Sequence, residues 1–325
     1  MKIGILGTGV FSVSIALVLS QKNENTIVMW SENKLLVESY QKNRKFTTFF
    51  KDKKMPKNIH LTNSYAKAVE SMDLVFLLPS VSYLENVCMS IQKLIKKDVP
   101  ICIGTKGIAP NGNLFVHEVA RKYLKNPLLV FGGPTFAIDV ANLEPVAFQV
   151  ASKNKKSISL FKKAFLSTSI FPTFTDDFIG ISLCGCVKNI YAIGAGIIHG
   201  LGYNESTLLF YLTCVYQELE MLLFRFHSTI ITLHGFSGFG DLVLTCTSFK
   251  SRNHSFGEIL GKSTSIKEKE KYLNENTVEG VHTLEALVAI LKKKRVEAPI
   301  INVIYKIVYQ NDDPKNLLQL LKKDN

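Results

Sequence analysis

Arginine is scarce in this chain. Arg44, Arg121, Arg225, Arg252 and Arg295 are the whole set, so the 39 basic residues that face 27 acidic ones are almost all lysine. The resulting net charge of +12 lies in runs such as 51–54 and 292–295, among helix and loop signals. No aromatic residues alternate with these charges in a recognisable module, which speaks against nucleic acid as a partner. A solvated basic surface that attracts anions remains. Cysteine is sparse too: Cys88, Cys102, Cys184, Cys186, Cys214 and Cys246 sit mostly inside apolar stretches. Cys184 and Cys186 stand too close for a C-x-x-C pair and have no second half, so neither a zinc site nor a disulfide framework is expected. They read as small core residues in a reducing compartment. Uninterrupted apolar runs are also missing. The most apolar region, 179–244, is broken by His199, Asn204, Glu205, Gln217, Glu218, Glu220 and Arg225. No segment reaches the roughly 18 residues of a membrane span, so this region is expected to be a buried helical core. The first apolar run is short and ends in glycine, unlike a signal peptide. A cytoplasmic protein without membrane span or metal is expected.

What is present begins at the first residues. Ile3, Ile5 and Leu6 read as a buried parallel strand running into Gly7-Thr8-Gly9 and then a helix over 10–21. Gly7 permits the tight turn, and Gly9 offers no Cβ to obstruct a phosphate. The helix aims its N-terminal N–H groups and dipole at the anion. This arrangement binds a dinucleotide. Ser12 stands where the third fingerprint glycine belongs, which predicts slightly looser helix–strand packing and no loss of the site.

The first half alternates strand and helix signals. Strands are expected at 26–30, 74–79, 100–104, 128–131, 146–150 and 171–174. A helix capped by Ser31 should begin near Asn33. Another should start at Ser80 with Leu84, Val87, Ile91, Leu94 and Ile95 on one face, and a third should run through Phe115, Val119 and Tyr123. Repeated βα units mean an α/β, Rossmann-type doubly wound parallel sheet. Past Thr175 long helical patterns take over, at 179–200, 207–226, 278–293 and 298–309. The reading is a dinucleotide-binding domain over 1–176 and an all-α substrate-binding domain over 177–325, with 262–271 as an exposed loop or short helix. The 325 residues and 46% hydrophobic content suffice for two cores. A ligand should sit at the C-terminal strand ends, with the helical domain able to close over it.

Lys106 follows one strand and Gly132-Gly133-Pro134-Thr135-Phe136-Ala137 follows the next, where a parallel sheet places its ligands. Lys106 can counter a substrate's charge, and Thr135 can donate to an oxygen. Ordinary strand-end turns are the competing reading. Lys188 lies in an otherwise apolar helix, where burial is costly unless the ammonium has partners and a purpose. Desolvation and a second lysine would lower its pKa and make it an acid or base near neutrality. The glycine-rich stretch 235–241 reads as a flexible turn that delivers Asp241 to orient Lys188. Ser251, Arg252 and Asn253 precede a helix expected around 256–260 and make a phosphate clamp, with a capping Ser251 and a solvated Arg252 as the alternative.

In order along the whole chain stand the glycine turn, Thr105-Lys106-Gly107, Gly133 to Ala137, Val187-Lys188-Asn189 with Ala192 to Gly196, Gly240-Asp241 to Cys246, Ser251-Arg252-Asn253 and Val278-Glu279-Gly280. This series resembles the bacterial-type NAD(P)-dependent glycerol-3-phosphate dehydrogenase family. The resemblance implies reversible hydride transfer between a nicotinamide and C2 of sn-glycerol 3-phosphate, giving dihydroxyacetone phosphate and serving phospholipid synthesis. It implies that Lys188 binds substrate as acid/base and that Lys106 binds cofactor and substrate. Gly133, Thr135, Asp241, Ser251 and Asn253 would touch substrate. Gly7, Gly9, Val10, Phe11, Ala137 and Glu279 would touch cofactor, and Arg252 both ligands. The chain departs at Ser12, at Val10-Phe11, and across 204–226, where Thr213-Cys214-Val215 occupies a usual threonine-arginine-glycine stretch. That last departure bears on subunit packing or domain closure. Glu32, just after the second strand, accepts hydrogen bonds from ribose hydroxyls and repels a 2′-phosphate, so NAD is expected to be preferred over NADP. The expected partner is a small phosphorylated substrate, and a homodimer is the candidate assembly. The rivals are a β-hydroxyacid or ketopantoate-type reductase without a phosphate clamp, and a nucleotide-sensing protein without turnover.

Overall fold

The computed structural model describes residues 1–46, 49–51, 53–110, 114–262 and 266–323. Parts of two lysine-rich stretches, Asp52 and residues 263–265, lie outside it. Chain contacts gather into two units, one of 1–109 with 116–178 and the other of 110–115 with 179–325.

The first unit is built from β1 (Lys2–Leu6), α1 (Val10–Leu19), β2 (Thr26–Trp30), α2 (Lys34–Asn43), β3 (Ile59–Thr62), α3 (Tyr65–Val69), β4 (Leu74–Leu77), α4 (Val81–Ile91) and β5 (Ile101–Ile103). After the two-residue strand β6 (Ile108–Ala109), and past β7 (Leu114–Phe115), which belongs to the second unit, come α5 (Val116–Tyr123), β8 (Leu128–Gly132), α6 (Ala137–Ala141), β9 (Val146–Ala151), α7 (Lys155–Phe165) and β10 (Ile170–Thr175). Eight strands form one sheet in the order β10-β9-β8-β5-β4-β1-β2-β3. All four residues of β4 are buried, as befits a strand covered on both faces. The sheet departs from the all-parallel expectation at one junction: β8 and β9 run antiparallel, with Phe131 opposite Val150. Every other junction in it is parallel.

Sequence reading missed β3, an edge strand where exposed His60 separates Ile59 from Leu61 and leaves no apolar run. The helix α7 was also missed. Its lysines lie outward while Phe161 and Phe165 reach the core, packing at 4.8 Å between ring centroids and meeting Phe76 and Phe148. Asn33, not Ser31, caps α2, accepting from the Leu36 N–H at 3.0 Å. α4 ends at Ile91, leaving Leu94 beyond its last turn.

The second unit is helical. It holds α8 (Phe178–Gly200), α9 (Glu205–Arg225), α10 (Ile230–His234), α11 (Asp241–Thr247), α12 (Arg252–Gly261), α13 (Ile266–Glu275), α14 (Glu279–Lys294), α15 (Pro299–Gln310) and α16 (Asn316–Lys323). Contrary to expectation, α8 and α9 are both long and apolar enough, by length and composition, to cross a membrane, with mean hydropathies of 1.6 and 1.2. Isolated polar residues do not lower the mean enough. The apolar stretch of α8 is wholly buried, as a core helix should be, whereas α9 exposes Leu209 and Phe224.

Inside this unit Glu218 on α9 is buried. Its carboxylate accepts the N–H groups of Ile300 and Ile301 at the start of α15, at 2.7 and 3.2 Å, and the Tyr191 hydroxyl at 3.0 Å. Burial nevertheless pushes its pKa up to about 7, outweighing these three donors. A carboxyl raised on folding favours the folded state while it is protonated in both states, and that advantage is lost as pH rises from about 4.5 through 7. Unfolding free energy should therefore fall between pH 5 and 8 by roughly 3 kcal/mol more in the wild type than in Glu218→Gln. Urea titrations at both pH values read this out. Parallel pH dependence of the two proteins would contradict it.

Candidate active site

In the first unit the loops after β1, β2, β5 and β8 leave the same edge of the sheet, because these strands are parallel. Gly7 has φ +124°, and a Cβ there would meet the Leu78 carbonyl, so the turn demands glycine. Gly9 is different. Its backbone is ordinary, with φ −68°, and a Cβ would meet nothing within 4 Å. Neither strain nor packing requires glycine at 9, and the space before the first turn of α1 is open to a ligand. Ser12 is 1% exposed and donates to the Leu78 carbonyl at 3.3 Å, so the serine fits the helix–strand contact with its hydroxyl satisfied.

The rest of this edge is tied to that turn. Thr8 and Ser31 hydroxyls meet at 3.0 Å and join the glycine turn to the end of β2, beside exposed Glu32. Phe11 packs against Phe131 and Phe148, while Val10 is 39% exposed. The Ser14 hydroxyl bonds the Ala137 carbonyl at 2.6 Å, holding α6 against α1. Thr105 donates to the Pro79 carbonyl at 2.8 Å and fixes the loop in which Lys106 is half-buried. Thr135 is also half-buried. Gly133 has a reason the sequence did not supply: a Cβ there would strike the Ala147 carbonyl of the neighbouring strand. This glycine is required by packing.

The helical unit holds the charged residues. Lys188 lies halfway along α8 and is 7% exposed, and its Nζ meets the Asp241 carboxylate, 1% exposed, at 2.5 Å. The stretch before Asp241 is no flexible turn. It is a π-helical turn, Phe236–Gly240, that runs directly into α11 and sets Asp241 at its start. Thr245, one turn on, donates to the Asp241 main-chain carbonyl at 2.6 Å and approaches the carboxylate at 3.5 Å. Asp241 was expected to orient Lys188, and its carboxylate does stand against the ammonium.

Beside this pair a second network forms. Asn189 donates to Glu279 at 3.0 Å and accepts from the Asn253 amide at 3.1 Å, while Asn253 Oδ1 accepts the Gly280 N–H at 2.8 Å. Both ends of the Asn253 side chain are thus engaged in scaffolding. Helix α12 starts four residues earlier than expected, so Arg252 and Asn253 lie in its first turn. Ser251 is the cap, accepting from the His254 N–H at 3.3 Å. Arg252 is exposed. Sequence reading gave no role to Asn189 or Thr245. The apolar residues around Asn189 were the available signal, since a buried amide must find partners. Among the described residues no cluster of three or more His, Cys, Asp or Glu is arranged for a metal.

A sheet edge with an open, anion-facing glycine turn and a helical unit with a buried ammonium define a dinucleotide-dependent dehydrogenase built from two units. Residues 2–158 match the family model for the NAD-dependent glycerol-3-phosphate dehydrogenase N-terminus, and residues 177–319 match that for its C-terminus. A glycerol-3-phosphate dehydrogenase [NAD(P)+] of Bartonella tribocorum is 33% identical over 94% of this chain and 92% of that protein. One of Clostridium botulinum is 30% identical over 97% and 94%. The crystal structure of glycerol-3-phosphate dehydrogenase from Coxiella burnetii matches with TM-score 0.91 at 29% identity, covering 99% of this chain and 98% of that one. The chain belongs to the NAD-dependent glycerol-3-phosphate dehydrogenase family.

The open space at Gly9 separates binding from folding. Gly9→Ala should leave the melting temperature of the ligand-free protein within about 1 °C, because its methyl contacts no protein atom. The same change should weaken NADH binding by roughly tenfold or more, a loss of about 1.4 kcal/mol. Calorimetry on one preparation gives both numbers. Unaltered NADH affinity would place the pyrophosphate elsewhere.

Proposed function

We propose that this chain reversibly reduces dihydroxyacetone phosphate to sn-glycerol 3-phosphate with NADH as preferred reductant, supplying glycerol 3-phosphate for phospholipid synthesis. Residues 1–176 act as the cofactor domain and 177–325 as the substrate domain. The observation that carries the reading is the ammonium of Lys188, buried in an apolar helix and paired with Asp241 at 2.5 Å. A buried charge of this kind is expensive to maintain and clusters at functional sites.

The cradle fits a dinucleotide: Gly9 leaves room for a pyrophosphate, and the start of α1 presents N–H groups to it. Bound nicotinamide supplies or accepts the hydride. Lys188 donates its proton to the C2 oxygen as that oxygen gains negative charge, and takes it back in the oxidation direction. Asp241 holds the ammonium in place. Lys106 and Thr135 add a second cation and a hydroxyl at the strand ends. Arg252 and the N-terminal N–H groups of α12 receive the substrate phosphate. Asn253 contributes main chain to that clamp, since its side chain braces Asn189 and Gly280.

A cytoplasmic location suits the six cysteine thiols, five of them buried. A homodimer is the assembly this reading carries. Exposed Leu209, Phe224 and Ile231 give the helical unit apolar surface that a second copy would cover.

Lys188→Ala should lower kcat by about 10²-fold or more, the scale of a lost general acid. NADH affinity should stay within twofold of wild type, as stopped-flow turnover and fluorescence titration would show. An unchanged kcat would remove Lys188 from the chemistry. Cofactor choice is tested separately. Exposed Glu32 follows β2, and the guanidinium of Arg44 is occupied by the carbonyls of Met55, Pro56 and Ile59. It cannot also turn back to neutralise a 2′-phosphate. NADH should therefore give the higher kcat/KM, and Glu32→Arg should shift the ratio toward NADPH. An equal or higher value for NADPH in the wild type overturns this preference.

A further inference from the structure

Helices α8 and α12 pack backbone against backbone. A Cβ at Gly196 or Gly200 would strike the carbonyls of His254 or Glu258, and a Cβ at Gly257 or Gly261 would strike those of Ile193 or Ile197. At such a crossing side chains do not interlock, so little besides polar contacts fixes how far one helix slides along the other. Polar bonds span it at two places: the Asn253 amide donates to Asn189 Oδ1 at 3.1 Å, and the other is a histidine pair. His199 Nδ1 on α8 meets His254 Nε2 on α12 at 2.8 Å. Phe249 stacks on the His199 ring at 5.4 Å and lies nearly perpendicular to the His254 ring at 5.1 Å.

The hydrogen in this bond can be assigned. His254 is fully buried and its Nδ1 has no partner. A bare lone pair is cheaper to bury than an orphaned N–H, so His254 carries its hydrogen on Nε2 and donates it to His199 Nδ1. Burial and the facing imidazole push the His254 pKa down to about 4, which suits a neutral His254 as the donor of this bond. Glu258 is the nearby carboxylate, held by Lys262 at 2.7 Å. The bond has consequences at the end of the helix, because the His254 N–H also closes the Ser251 cap. One residue thus joins the α8 crossing to the segment 251–253.

We propose that the His199–His254 hydrogen bond, acting with the Asn253–Asn189 bond, sets the register of the phosphate-receiving start of α12 against the helix that bears Lys188. The pair acts as a positioning device and touches no reacting atom. This rests on the reading of 251–253 as the phosphate clamp, so the test carries a control for that reading.

In the full-length enzyme His199→Phe keeps an aromatic ring for Phe249 but leaves the His254 Nε2–H unpaired. It should raise KM for dihydroxyacetone phosphate and Ki for inorganic phosphate about tenfold, with kcat and the KM for NADH within twofold. His199→Asn puts an amide oxygen where Nδ1 stood and should restore both constants to within about threefold of wild type. A general packing defect would instead lower kcat or disturb NADH binding, and Asn, the smaller residue, would be worse than Phe; that outcome overturns the proposal. Arg252→Ala is the control. If it raises KM while His199→Phe does not, the register device is wrong and the clamp stands. If neither variant moves KM, the clamp reading falls and the proposal falls with it.

Discussion

The ion pair between Lys188 and Asp241 is the contact on which the helical unit depends. Moving either charge out of water costs several kcal/mol even after relaxation, and only close geometry with further hydrogen bonds offsets it. The remainder of the unit supplies those conditions. The π-helical turn delivers Asp241 at the start of α11 and Thr245 braces it from the next turn. Asn189, immediately after the lysine, ties α8 to α12 and α14 through Asn253, Glu279 and Gly280. A pair this buried tolerates little sliding of α8, which is why polar locks recur along that helix, at Asn189, at Tyr191 and at His199.

The two units solve opposite problems. Around α1 the sheet unit keeps a volume empty: Gly9 faces no protein atom, while its neighbours Gly7, Ser12 and Ser14 are each fixed by a specific carbonyl. Around α8 the helical unit removes all volume, bringing main chains together at Gly196 and Gly257 until no Cβ fits. Glycine serves both ends. Only the surroundings distinguish a residue small for the sake of a ligand from one small for the sake of a helix.

Much of this was legible in the sequence, and the gaps have physical causes. Continuous apolar runs announced β1, β4 and β8, because strands covered on both faces need no polar alternation. The edge strand β3, with exposed His60 at its centre, gave no such run. The antiparallel junction of β8 and β9 was invisible, since both read as equally apolar. Helix ends were misread where the cap is a polar residue among other polar residues: the cap of α2 was placed at Ser31 and not Asn33, and the start of α12 after Ser251 was set four residues late. For the candidate site, Lys188 and Asp241 stood out by charge against an apolar background. The packing reason for Gly133 was not legible, because a glycine that spares a neighbouring carbonyl looks the same in sequence as one that admits a ligand.

The burial of α8 has a bearing on how the chain is made. This 23-residue helix has the length and mean hydropathy of a bilayer-crossing segment. Before its unit closes around it, a nascent chain presents that stretch to whatever apolar environment it meets. A lysine near the centre of a helix raises the cost of insertion through the translocon by about 2.5 to 3.5 kcal/mol. Lys188 sits at that centre, with the amide of Asn189 beside it. The residue proposed as the proton donor therefore also biases the unfolded segment away from the lipid and toward the protein core.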